Sequence, residues 1–257
     1  GSFAMARYIA KETGKDVSEL PYSVLTSEQL RKEFGQATFF TATDGNHGRG
    51  VAWAANRLGQ KAVVHMPKGT TQTRLQNIAK EGAQVDIQEL NYDDCVRLAA
   101  KEADETPRGV IVQDTAWDGY EEIPAWIMQG YGTMAMEAGE QLKAQGCERP
   151  THIFVQAGVG SLAGAVVGYF SNLYADNLPT FVVVEAEAAA CLYKGAAAGE
   201  SGAAPFGALA AMMTMDEYKD LRNDIGLDEN SKVLLFSTEG DTDPDRYKNI
   251  VWKGLDK

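Results

Sequence analysis

Strand-like apolar runs alternate with helical patterns along nearly the whole chain, and this alternation restricts the fold more than any other feature. Short apolar runs stand at 37–41, 61–66, 83–88, 109–113, 152–156, 180–185 and 232–236. Helical patterns fill the gaps at 51–58, 70–81, 92–105, 123–145 and 162–174. Strands separated by helix-length segments are joined in parallel by crossovers, because a hairpin turn joins only antiparallel neighbours. The runs are almost continuously apolar, as strands are when helices cover both sheet faces. The expected class is α/β with doubly wound parallel sheets. One stretch breaks the rhythm: residues 188–207 are nearly all Ala and Gly, which marks a boundary or a missing segment.

A chain of 257 residues has room for one large or two modest domains. With 44% apolar residues it can bury an ordinary globular core. The formal charge is −12, with Lys and Arg scattered, so neither nucleic acid nor an anionic membrane surface is an expected partner. No apolar run is long enough to span a bilayer. Cys95, Cys147 and Cys191 form no C-x-x-C pair, which fits buried or idle thiols in a reducing, cytoplasmic compartment.

Two loops carry candidate chemistry. The run 152–156 enters Ala157-Gly158-Val159-Gly160-Ser161-Leu162-Ala163-Gly164, and a helix follows. A strand, a glycine loop and a helix start form an anion site: small residues admit close approach, and unpaired N–H groups face the phosphate. Taken alone, the loop also fits a dinucleotide fingerprint, with Gly158, Gly160, Ala163 and, after the next strand, Glu185 as the ribose-binding acid. A nicotinamide-dependent oxidoreductase and a tight turn that binds nothing are its rival readings.

The second loop, Thr41-Ala42-Thr43-Asp44-Gly45-Asn46-His47-Gly48-Arg49-Gly50, is the most specific segment of the chain. It resembles the S-x-G-N-H-G loop of fold-type-II pyridoxal-phosphate (PLP) enzymes, the tryptophan synthase β-subunit-like superfamily. Asp44 in place of the usual serine, with Gln113-Asp114 leading to Trp117 and Tyr120, and Ser237-Thr238 near the end, resembles the diaminopropionate ammonia-lyase family in particular. The resemblance covers essentially the whole chain. It implies two α/β domains: a smaller one at 38–132, and a larger phosphate-binding one formed by 1–37 with 133–257.

The resemblance implies PLP as cofactor, a small amino-acid substrate and a homodimer. Asn46 would sit beside the cofactor ring. Ala157, Gly158, Val159, Gly160, Ser161 and Leu162 would hold its phosphate, and Ser237 or Thr238 would meet the pyridine nitrogen. The reaction implied is α,β-elimination of 2,3-diaminopropionate, D or L, to pyruvate and two ammonia. Asp44 would be the base for one enantiomer. Asp114 would bind a substrate amine or share a proton with Asp44. Each acid also has a plainer reading, Asp44 as a helix cap and Asp114 as a turn residue. His47 reads as a structural hydrogen-bonder. The family's cofactor-bearing lysine falls ahead of Gly1. On a second alignment Ser2-Phe3-Ala4 places an alanine at the lysine position, which would suit a non-catalytic relative. Lys11, Lys15 and Lys32 read as solvated charges. The family also carries a further segment between Cys191 and Ser201.

Overall fold

The computed structural model describes residues 1–185 and 200–238. These divide into two compact units, Gly1–Gly130 and Tyr131–Lys257.

The first unit opens with three helices, α1 (Ser2–Thr13), α2 (Tyr22–Leu25) and α3 (Glu28–Phe34). It continues β1 (Thr38–Ala42), α4 (Asn46–Arg57), β2 (Lys61–Met66), α5 (Gln72–Ala79), β3 (Gln84–Ile87), α6 (Tyr92–Glu105) and β4 (Gly109–Ile111). The four strands are parallel, in the order β3-β2-β1-β4. Side chains alternate across the sheet. Val64 and Met66 meet Ala52 of α4 and Ile78 of α5 on one face. Phe40, Val63 and Ile111 meet Ala99 and Ala103 of α6 on the other. The unit is therefore doubly wound.

Residues 1–37, set with the second domain in the sequence reading, pack within this first unit. The apolar stripe of α1 (Ala4, Met5, Ile9) is buried, and the helix lies against α3 and α4. Three-residue and four-residue periodicity on a short helix gives less signal than a strand run, so the sequence does not announce these helices.

The second unit holds α7 (Glu122–Ala144) from Tyr131 onward, then β5 (His152–Gln156), α8 (Ser161–Leu173), β6 (Thr180–Val184), α9 (Glu200–Thr214), α10 (Lys219–Asp224) and β7 (Val233–Leu235). Strand β5 lies between β6 and β7, all parallel. Ile153 and Val155 pack with Val166 and Phe170 of α8. Phe154, facing the other way, packs with Met212 of α9 and Leu227. The Ala/Gly-rich stretch 188–207 is helix from Glu200 onward. The rest of that stretch, with Cys191, lies outside the described residues.

Gly48, buried in the first turn of α4, shows how closely that helix approaches the sheet. A Cβ there would lie 2.2 Å from Thr43 Cγ2 and 2.9 Å from Val64 Cγ1. The Thr43 hydroxyl also accepts the Gly48 N–H (3.1 Å), so the added methyl would displace the side chain that ties the loop. Overpacking of this kind costs about 1–3 kcal/mol. Gly48→Ala is therefore expected to lower Tm by several degrees in a thermal melt. An unchanged Tm would mean that α4 slides along the sheet at no cost.

Candidate functional site

The predicted residues collect at the carboxyl ends of parallel strands, where open α/β sheets place their ligands. In the first unit the loops after β1 and β4, neighbouring strands, bring together residues some seventy positions apart.

The loop after β1 is held by Thr43 rather than by Asp44. The Thr43 hydroxyl accepts the N–H groups of Gly45 (2.9 Å) and Gly48 (3.1 Å), and its own N–H donates to His65 O (3.0 Å). Helix α4 starts after Gly45 with no side-chain cap. The plainer reading of Asp44, a helix cap, therefore does not apply. Asp44 is exposed, and its backbone oxygen accepts from Arg74 Nη1 at 3.1 Å. Asn46 opens the helix, also exposed.

Gln113 organises the loop after β4. It is fully buried. Its Oε1 accepts the Ala42 N–H (3.0 Å) and the Thr41 hydroxyl (2.9 Å). A backbone N–H can only donate, so the amide orientation is fixed. The Nε2 group then donates to Tyr92 Oη (2.8 Å) and to Asp114 Oδ1 (3.1 Å). The Gln113 N–H donates to Tyr120 Oη (2.7 Å), and the Tyr120 ring stacks on Trp117 with centroids 4.1 Å apart. Tyr120 thus pins the loop, and burial pushes its phenol pKa up. Tyr92 is delivered by the cap of α6, where Asn91 Oδ1 accepts the Asp94 N–H at 2.9 Å. Burial, with the charges of Asp114 and Asp44 nearby, raises the Tyr92 phenol to about 12. It is a proton-bearing group at any physiological pH. Sequence reasoning missed Gln113 and Tyr92. The available signal was a glutamine closing an apolar run directly before an acid.

His47 joins the two loops. Its Nε2 lies 2.8 Å from Val112 O, and its Nδ1 lies 3.6 Å from Asp114 Oδ2. Burial lowers the imidazole pKa, opposed by the Asp114 charge.

In the second unit, β5 runs into the glycine loop. Gly160 is the N-cap of α8 with φ 91°, a left-handed conformation suited to glycine. Its oxygen accepts the Gly164 N–H (2.8 Å), so the N–H groups of the preceding turn lie ahead of the helix. Among the described residues nothing lies within 4 Å of a Cβ built at Gly158 or Gly160, and both are exposed. No acidic residue stands in the first turn of α8. An open cradle of N–H groups with no acid in the first turn of the helix fits a phosphate monoester. The Ala157 N–H is committed to Val184 O (3.0 Å), Val159 is exposed, Ser161 is buried, and Leu162 packs on the core below. Gln156, at the strand end, donates from Nε2 to Thr238 Oγ1 at 2.8 Å. Its buried Oε1 meets no donor among the described residues. Ser237 and Thr238 are exposed at the end of β7, whereas 239–243 lie outside the described residues. Glu185 is an exposed acid after β6.

Comparison with known proteins decides between the cofactor readings. The pyridoxal-phosphate dependent enzyme family model matches residues 20–229. The diaminopropionate ammonia-lyase of Salmonella typhimurium is 41% identical over 321 aligned residues, covering 99% of this chain and 79% of that protein. The aligned span exceeds the chain's own length, so the relative has internal residues with no counterpart here. Two crystal structures of the Escherichia coli diaminopropionate ammonia-lyase are each 35% identical, covering 99% of this chain and 78% of theirs. The complex with D-serine gives a TM-score of 0.87 and that with an aminoacrylate-PLP azomethine intermediate 0.84. The dinucleotide reading falls: strand, glycine loop and helix are common to phosphate sites of several kinds, and the cofactor of the matching family is pyridoxal phosphate. The chain belongs to the pyridoxal-phosphate dependent enzymes and, among them, to the diaminopropionate ammonia-lyase family.

Proposed function

We propose that this protein eliminates ammonia from D- and L-2,3-diaminopropionate, giving pyruvate and two ammonia. One observation carries the reading beyond family membership. Asp44 and Asp114 stand at the ends of neighbouring strands β1 and β4, and neither is spent on starting a helix. The relatives' names state the same substrate, and the relative of known structure holds D-serine.

PLP, when bound, supplies an electron sink for the pair left at Cα when its proton departs. The N–H groups of the Gly158–Gly160 loop and the start of α8 hold its phosphate. The Thr238 hydroxyl, whose oxygen already accepts from Gln156, has its own proton to donate to the pyridine nitrogen. On the family resemblance, Asn46 would sit beside the cofactor ring. Asp44 takes the Cα proton of the D enantiomer. The L enantiomer presents that proton to the opposite side, where the family pattern places a lysine ahead of Gly1. Lys11, Lys15 and Lys32 are not that lysine, since they pair with Glu122, Glu33 and Glu28 at the surface.

No helix among the described residues is long and apolar enough to cross a membrane. The free thiols of Cys95 and Cys147 support a reducing, cytoplasmic setting. The homodimer rests on the family resemblance. The test uses the full-length, PLP-loaded enzyme. Each enantiomer should yield one pyruvate, read with a coupled dehydrogenase, and two ammonia per substrate. Cofactor binding without pyruvate from either enantiomer would overturn the reading.

A further inference from the structure

Gln156 closes β5, the middle strand of its sheet, and is 6% exposed. It alternates with Phe154 along the strand, so it shares the sheet face on which Phe154 packs with Met212 and Leu227. An apolar side chain would suit that place. Gln156 instead makes one side-chain hydrogen bond among the described residues, from Nε2 to Thr238 Oγ1 at 2.8 Å. Its Oε1, also buried, meets no donor. Folding strips water from the whole amide and returns a single bond for it. That bond goes to an exposed residue, whose hydroxyl water could serve as well. A buried polar atom left without a partner calls for a reason other than stability.

The reason lies in which way the Thr238 hydroxyl points. A hydroxyl has one proton and two lone pairs. With Nε2 donating into a lone pair, the proton is directed elsewhere, and no described residue takes it. We propose that Gln156 is a positioning residue for the cofactor: by donating to Thr238 it singles out that hydroxyl over Ser237 and holds it as a donor, so that the pyridine nitrogen of PLP is met as an acceptor and stays unprotonated. The proposal rests on the reading above, which sets the ring nitrogen beside Thr238, and adds what controls that contact. A protonated ring nitrogen is itself a donor and would face the Thr238 proton. It could be accommodated only if the hydroxyl turned round and gave up its bond from Gln156. One buried amide thereby decides how strongly the ring draws the electron pair from Cα.

The experiment uses the full-length, PLP-loaded enzyme with the cofactor's ring nitrogen labelled with ¹⁵N, followed by NMR through a pH titration. Wild type should show the resonance of an unprotonated pyridine at neutral pH. Gln156→Met fills similar space without a donor and lets the hydroxyl turn. Ring protonation should then move up by about one pH unit, the tenfold worth of one hydrogen bond. Its Tm should equal or exceed that of wild type, because the orphaned oxygen goes with the amide. Thr238→Val should weaken PLP about tenfold. Adding Gln156→Met to Thr238→Val should change neither PLP affinity nor the ring resonance further, since the amide acts through that hydroxyl alone. A pyridinium resonance in the wild type would overturn the proposal, the amide then turning its oxygen to Thr238. So would a Gln156→Met ring that titrates as in wild type, or a double variant whose losses multiply. A Gln156→Met protein that melts lower or fails to fold would make Gln156 a structural residue and sink the proposal too. The expected ring resonances without pyruvate from either enantiomer would instead overturn the elimination and leave Gln156 in its role.

Discussion

Gly160→Asp is expected to abolish PLP binding while leaving the fold of its unit intact. Two effects of the substitution can be separated. The first is conformational: φ at Gly160 is 91°, and a side chain there costs about 1–2 kcal/mol, less for Asp and Asn than for other residues. Space is no obstacle, because no described residue lies within 4 Å of the added Cβ. The second is electrostatic. A carboxylate at the helix N-terminus meets the same N–H groups that would hold the phosphate, and it repels that phosphate. Two like unit charges about 4 Å apart near a protein surface repel by about 4 kcal/mol, close to a thousandfold in affinity. Gly160→Asn carries the first cost without the second. In a titration followed by cofactor absorbance, the Gly160→Asn protein should retain measurable affinity where the Gly160→Asp protein shows none. Equal affinity in the wild type and both variants would place the phosphate elsewhere.

The sheets were legible because burial on both faces writes itself into consecutive apolar residues. Strands β2 and β5 and helix α6 begin and end where the pattern predicted. Helices α1 to α3 were not, since their buried positions are few and their remaining residues suit a solvated loop equally well. For the site, the loops were legible as short motifs: Asp44 and Asn46 lie within four residues of β1, and Gly158 and Gly160 within four of β5. What joins the loops was not. The bonds from Gln113 to Ala42 and Thr41 cross more than seventy residues, and His47 meets Val112 and Asp114 across sixty or more. Such contacts exist only because β1 and β4 are neighbours in the sheet, and one chain read alone gives no pairing order. A glutamine stands just beyond β4 and another closes β5. In each case a buried amide bonds to a candidate site residue, Asp114 in one unit and Thr238 in the other.

Asp44→Asn should leave PLP binding and the start of α4 untouched. Thr43 and Gly45 make that helix start, and the Asp44 carboxylate takes no part in it. Asn has nearly the same shape as Asp but is neutral and cannot take a proton. If Asp44 is the base for one face of the substrate, the loss falls on one enantiomer. Removal of a general base is worth roughly 100- to 10,000-fold in rate. Pyruvate release from D-2,3-diaminopropionate should drop by that factor, whereas the L enantiomer, whose proton faces the family's lysine, should change far less. The measurement needs the full-length enzyme, saturating PLP, and each enantiomer assayed separately. Equal losses would reduce Asp44 to substrate binding, because a binding contact serves both hands of the substrate. No loss for either would leave an exposed charge at the edge of the loop. Only a loss confined to the D form requires a proton to pass to the carboxylate. The solvent isotope pattern gives a second reading of the same step: in D₂O, residual turnover of the D enantiomer by Asp44→Asn should show slower exchange at Cα than wild type.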